Sequence, residues 1–162
     1  MSTTATAIDF KEFLKGFAAD TCKNYIADLT AIPDDKIGVS PMGEARSPLH
    51  FSAECAGFNG MLVSALKGEA IVMPDDAGKE AFYASIDTKE KAIAAIETST
   101  AALVDALGTV SDEALLVEIP MYWGGSMPLY KFAHVAISHM AYHDGQLNYI
   151  QSLFGDTEVH WN

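Results

Sequence analysis

Apolar residues recur every three or four positions in four long stretches of the chain, the spacing that gathers them on one face of an α-helix. The first stretch runs from about Ile8 to Ile32. Its stripe is Phe10, Phe13, Leu14, Phe17, Thr21, Tyr25 and Leu29, and Pro33 ends it. The following IPDDKIGVSPMGEARS is rich in Pro, Gly, Asp and Ser and reads as a loop. Ser47-Pro48 opens a second helix, a capping hydroxyl followed by proline in the first turn, and Gly68 closes it. A long connection, EAIVMPDDAGKEAFYASID, comes next; its middle, from Ala77 to Ala84, is either a short helix or a strap over the bundle. Asp87 with Glu90 three residues on reads as a capping box for a third helix. The inward face of that helix is Ile93, Ile96, Thr100, Leu103 and Leu107, with Gly108 at its end.

Between Val110 and Leu129 the period changes. LLVEIPMYWGGSMPLY carries β-branched and aromatic residues around Gly124-Gly125, the pattern of a loose β-hairpin or an extended loop, and Pro120 argues against a regular central strand. The fourth stretch, Lys131 to Gly155, returns to helical spacing with Phe132, Ala136, His139, His143, Leu147, Ile150 and Phe154. Two imidazoles thus stand one turn apart on a face that is otherwise apolar. Gly145, within Asp144-Gly145-Gln146, costs helix stability and is expected to permit close approach of a neighbour. Four long helices with two long crossings predict an all-α four-helix bundle, with a short hairpin-like segment before the last helix. No linker or internal repeat divides residues 1–162, so a single domain is expected.

Composition narrows the function. With 162 residues, 49% of them hydrophobic and 20% charged, the chain suits a globular domain. A net charge of −12 argues against phosphate-mediated binding of nucleic acid. No apolar run approaches a membrane span, and the N-terminus, read as a short frayed arm, lacks the pattern of a secretion signal. Cys22 and Cys55 form no CxxC and read as reduced and buried, which places the protein in the cytoplasm.

Two buried imidazoles facing one space need hydrogen-bond partners or a shared cation. A cation on His139 and His143 needs a further ligand from another helix. Glu54 is the carboxylate of the second helix, set among Ala53, Cys55, Ala56, Gly57 and Phe58, where an unpaired charge is expensive. His50, one turn earlier, is the alternative ligand or a support for one. Such a set suits Zn, Ni, Mn or Fe without choosing among them. Asp144 or Tyr142 would orient a ligating ring or carry a proton. The plainer account of Glu54 is an ion pair with Arg46 or Lys67, or a hydrogen bond from Tyr142 or Asn59. Cys55 reads as packed rather than nucleophilic. His134 lies off the stripe, His160 belongs to a tail that folds back, and Met61, Met121, Met127 and Met140 read as core filler. Tyr122 and Trp123 either wall a pocket or plug the end of the bundle.

The segment HVAISHMAYHDGQLNYIQSLFG resembles the last helix of the DinB/YfiT-like superfamily, whose closing motif is HxxxH followed by a Gly-Gln pair. SPLHFSAECAGFNGMLVSALKG is similar to that family's second helix, and most of the chain fits its layout. The resemblance implies a DinB-like bundle with long crossover loops and a metal held by three histidines. His139 and His143 match two of those positions, whereas the third carries Glu54. Either Glu54 substitutes as an oxygen ligand, His50 reaches in, or the site is degraded; Glu54 is preferred because its burial otherwise lacks an explanation. The resemblance further implies homodimers and a metal-dependent enzyme. Its chemistry would be that of a thiol-S-transferase, a thiol-dependent isomerase or a hydrolase, with a low-molecular-weight thiol among the small-molecule partners. The competing reading is a non-catalytic bundle that binds a metal or small ligand, or pairs with a second copy.

Overall fold

Each of the first four helices begins at a side chain that takes up free amides, whereas the last follows Pro128 with no side-chain cap. Asp9 Oδ1 accepts from the amides of Lys11 and Glu12 at 3.0 and 3.2 Å and starts α1 (Phe10–Ala31). Ser47 Oγ accepts from His50 N at 3.3 Å ahead of α2 (Pro48–Leu66), with the proline in the first turn as expected. α3 (Asp76–Ser85) is capped by Asp75 and resolves the strap-or-helix question in favour of a helix. α4 (Lys89–Thr109) is capped by Thr88, whose Oγ1 accepts from Lys91 N, rather than by the expected Asp87–Glu90 box. Asp87 lies one residue too early to cap and pairs with Lys91 Nζ at 2.6 Å instead. The structure, a computed structural model, describes residues 8–161, and the arm expected over residues 1–7 lies outside them.

The helix ends follow the same local logic. Ile32 precedes a proline and turns extended, with ψ of 129°, so α1 stops there. After α2, Gly68 adopts a φ of 74°, and the amides of Gly68 and Glu69 return to the carbonyls of Ala65 and Ser64. That pair of bonds closes the helix in the left-handed manner that favours glycine.

α1 packs on α4 and α6 (Leu129–Leu153), and α2 packs on the same two helices, so α1 and α2 stand at opposite corners of the bundle. Connections 32–47 and 110–128 make the two crossings; the second contains the four-residue α5 (Asp112–Leu115) and a two-stranded hairpin. In the hairpin β1 (Glu118–Pro120) pairs antiparallel with β2 (Ser126–Pro128), Ile119 opposite Met127. With only two strands, Pro120 interrupts no central ladder. β2 runs straight into α6, whose first amide, Leu129 N, bonds Val117 O at 2.9 Å.

Two apolar clusters fill the bundle. Leu14, Leu62, Leu103, Leu107 and Phe132 centre one; Tyr25, Leu29, Phe51, Ile96, Met140 and Leu147 centre the other. α6 feeds both, because Phe132, Ala136, His143, Leu147 and Ile150 are all buried, as its stripe predicts. Three expectations fail locally. Phe10 and Phe13 are 42% and 52% exposed; their rings stack on one another, and Phe10 meets Tyr130 of α6 edge-on at the surface. Ala92 takes the fully buried α4 position, and Ile93 packs half-buried at the edge of the same cluster. A Cβ at Gly145 would meet open space, so no neighbour requires that glycine. No helix among the described residues is long and apolar enough to cross a membrane.

Truncating a side chain at the centre of this core separates it from the exposed stripe. Leu62→Ala is expected to lower unfolding free energy by about 2–5 kcal/mol, whereas Phe10→Ala should change it by about 0.5 kcal/mol, both read from urea denaturation midpoints.

Candidate metal centre

α6 presents His139 and His143 one turn apart, and its neighbour α2 presents Glu54 and Cys55 toward the same space. The two imidazole Nε2 atoms are 3.2 Å apart. Glu54 Oε1 lies 3.5 Å from His139 Nε2, and Oε2 lies 3.6 Å from His143 Nε2. Carboxylate and both rings therefore converge. Cys55 adds a thiol on the inner side, where it, His139 and His143 offer three ligand atoms within 4.8 Å of one another. Phe51 stacks on His143 and Phe58 tilts against His139, with ring centres 4.8 and 4.7 Å away.

One chain of hydrogen bonds sets the tautomer of His143. His143 Nδ1 is 2.7 Å from Gln146 Oε1, while Gln146 Nε2 donates to the Tyr142 hydroxyl at 3.1 Å. The amide is thus oriented with its oxygen toward the ring, so Nδ1–H donates and Nε2 keeps its lone pair aimed at Glu54 and His139. Burial lowers the His143 pKa to about 4, partly opposed by the bond to Gln146, and keeps the ring neutral at ordinary pH. His139 Nδ1 is buried without a partner. A hydrogen bond from His139 draws the Glu54 carboxyl down to about 2 against the cost of burial, with the Arg46 charge assisting. Arg46, from the loop before α2, pairs directly with Glu54 Oε2 and lies over the Phe51 ring. Burial pushes the Cys55 thiol well up, so it holds its proton.

These donors fit a divalent ion. Two nitrogens on one tetrahedral Zn²⁺ stand about 3.3 Å apart, and the observed separation is 3.2 Å. One ring offers a free lone pair at neutral pH and the carboxylate is already ionised, so neither must first give up a proton. Arg46 competes for the same carboxylate; a cation placed here shares Glu54 with a guanidinium.

Beside this cluster opens a cavity of about 290 Å³, lined by Glu54 and His139, by Phe58, Met61 and Met73, and by Lys79, Phe82 and Tyr83 of α3, with Tyr122 from the hairpin turn. Tyr122 therefore walls a pocket. Trp123 stacks on Phe58 at 6.5 Å in a turn where Gly124 and Gly125 take φ of 100° and 77°.

Other candidates lie elsewhere. His50 packs edge-on against Tyr83 at 4.7 Å, because one turn back along α2 its ring faces α3 rather than α6. Asp144 does not support the histidines. One residue after His143, it points about 100° around the helix, toward α1. There it faces Asp28, which accepts from Trp161 Nε1 of the tail at 3.0 Å. Tyr142 is exposed; it meets the site through Gln146 and edge-on against the His143 ring at 5.1 Å. Lys67 and Tyr142 make no contact with Glu54, and Asn59 bonds Ser99 and Thr100. His134 is exposed, and His160 bonds Asp156. Gln146 and Cys55 join the site in places the sequence pattern did not assign them: Gln146 is expected only as part of a polar stretch and Cys55 only as a packed residue. Gln146 was legible as the i+3 neighbour of His143, and Cys55 as the neighbour of Glu54.

Solved structures share this architecture. A conserved protein of Enterococcus faecalis superposes with a TM-score of 0.75 at 16% identity, over 93% of this chain and 100% of that one. The mycothiol-dependent maleylpyruvate isomerase superposes with a TM-score of 0.70 at 19% identity, over 91% of this chain. A Streptococcus pneumoniae protein follows with a TM-score of 0.68 at 16% identity, over 93% of this chain and 94% of that one. The fold is DinB/YfiT-like. Neither a protein-family model nor a curated protein matches the sequence. At these identities the likeness concerns the DinB-like fold alone, and the chain spans 63% of the length of the isomerase.

The paired aspartates give the DinB-like bundle a pH dependence. Burial, and the neighbouring Asp28, raise the Asp144 pKa to about 7. An unfolded aspartate titrates near pH 3.9, so between these values the folded state binds more protons and stability falls as pH rises. Asp28→Asn keeps an acceptor for Trp161 and removes one charge. After chelation, its melting temperature should fall less than the wild type's between about pH 5 and about pH 8. An unchanged decline in thermal melts would show that the pair is not its source.

Proposed function

We propose that the protein is a divalent-metal-dependent enzyme acting on a small molecule, with His139, His143 and Glu54 holding the ion. What carries this reading is the convergence of two imidazole nitrogens with the two carboxylate oxygens, each oxygen within 3.6 Å of one ring, beside a pocket that Glu54 and His139 help to line. Glu54 is preferred to Cys55 as third ligand because its two oxygens lie 3.5 and 3.6 Å from the two imidazole nitrogens and it also lines the pocket, which Cys55 does not. When bound, a Zn, Ni, Mn or Fe ion supplies acidity, lowering the pKa of a water or thiol so that a nucleophile exists at neutral pH.

The chain's own residues do the rest. Gln146 holds the His143 tautomer, and Phe51 and Phe58 fix both ring planes and exclude water from their faces. Arg46 steadies the Glu54 carboxylate from the solvent side. A small pocket suits a small substrate, and the DinB-like fold shared with a mycothiol-dependent enzyme favours a low-molecular-weight thiol as co-substrate in a thiol-S-transferase-like reaction. One observation favours a second reading, a non-catalytic bundle: the Arg46 ion pair satisfies Glu54 without any ion.

Elemental analysis of untagged protein separates the two. Near one equivalent of a first-row metal is expected in wild type and in Cys55→Ser, and none in His143→Ala. Glu54→Gln should bind the metal more weakly by over about tenfold, a loss seen even for residues that only support a ligand. Chelation should abolish thiol–electrophile conjugation while leaving helicity intact. Protein that takes up no metal, as purified or on reloading, overturns the enzyme reading.

A further inference from the structure

We propose that the pocket beside Glu54 and His139 takes a small apolar molecule bearing one carboxylate, and that Lys79 selects for that charge. The inference rests on the functional reading above in treating this cavity as the substrate side of the site.

The chain carries a net charge of −12, which discourages anions from its surface. Lys79 nevertheless stands on the pocket wall, the one basic residue in its lining. Lys11, Lys15, Lys36, Lys89 and Lys91 each meet a carboxylate. Among the described residues Lys79 meets none; Lys23, Lys67 and Lys131 also meet none but lie outside this lining, and the Lys79 Nζ is 5.7 Å from the centre of the Tyr83 ring. Helical spacing explains the placement. Lys79, Phe82 and Tyr83 stand at i, i+3 and i+4 of α3 and so share the face turned to the cavity. Phe82 seats that face on α2: a Cβ on Gly57 would lie 3.4 Å from its ring.

The pocket is therefore polarised. Glu54 puts negative charge at one side, Lys79 puts positive charge at another, and Phe58, Met61, Met73 and Phe82 lie between. A carboxylate is repelled from the Glu54 side and drawn to Lys79, which leaves the apolar body over Phe58 and the opposite end of the ligand at His139. A cavity of about 290 Å³ sits at the lower limit for ligand sites, so the molecule is of metabolite size rather than nucleotide size.

The test titrates the full chain with 3-phenylpropionate and with its uncharged amide, 3-phenylpropionamide, following backbone amide shifts by NMR. Zinc-loaded and chelated protein are run separately, for wild type, Lys79→Gln and Lys79→Arg. In wild type the acid should bind about fivefold or more tightly than the amide, with shifts at Gly57, Phe82 and His139. Lys79→Gln should lose the preference and Lys79→Arg keep it, in both zinc-loaded and chelated protein. Equal binding of acid and amide by wild type, or a preference that survives in Lys79→Gln, overturns the proposal. A preference present only with zinc also overturns it, since the ion rather than Lys79 would then hold the carboxylate. If the protein takes up no zinc but chelated wild type still prefers the acid, the metal reading falls and the Lys79 assignment stands.

Discussion

A carboxylate set among Ala53, Cys55 and Phe58 loses part of its hydration, and that loss must be made good by groups the fold brings to it. In this bundle they come from two places. Arg46 arrives from the loop before α2, and the two imidazoles arrive from α6, a helix more than eighty residues further along the chain. The carboxylate's ionisation, the neutrality of His143 and the direction of the free lone pair all depend on α2 lying against α6. Because α1 and α2 stand at opposite corners, α6 touches both, and this makes one helix the hinge between two buried polar centres.

Those centres have opposite character. On the α2 side, His139 and His143 meet a negative charge under a pocket open to solvent. On the α1 side, Asp144 meets a second carboxyl, and among the described residues the tail brings the Trp161 indole as a donor. Successive residues His143 and Asp144 serve the two sides separately, because about 100° of helical rotation divides them. Proximity in sequence thus misleads about shared chemistry here, whereas the three-residue step to Gln146 does not.

The architecture was largely legible from the apolar period, since four long stripes, a proline stop and a glycine stop leave few alternatives to a bundle. The cap of α4 was not, because Asp87 and Thr88 are both good capping residues and only register decides between them. Phe10 and Phe13 fit the stripe by spacing, yet they stay at the surface, where Phe10 meets Tyr130 edge-on. At the site, the histidine pair and the lone charged residue of α2 stood out as polar groups in apolar surroundings. Arg46 and the α3 face left a weaker trace: one belongs to a Pro- and Gly-rich loop, and α3 buries no residue, so its spacing says little about what it covers.

The dependence of both apolar clusters on α6 bears on the order of assembly. As the ribosome releases the chain, α1, α2 and α4 emerge with a vacant quarter between them, and neither cluster closes until the last helix follows. Closure therefore joins residues far apart in sequence, the kind of contact that slows folding relative to a bundle built from adjacent hairpins. The histidines arrive with that final helix, so a complete set of donors exists only in chains whose core has already shut.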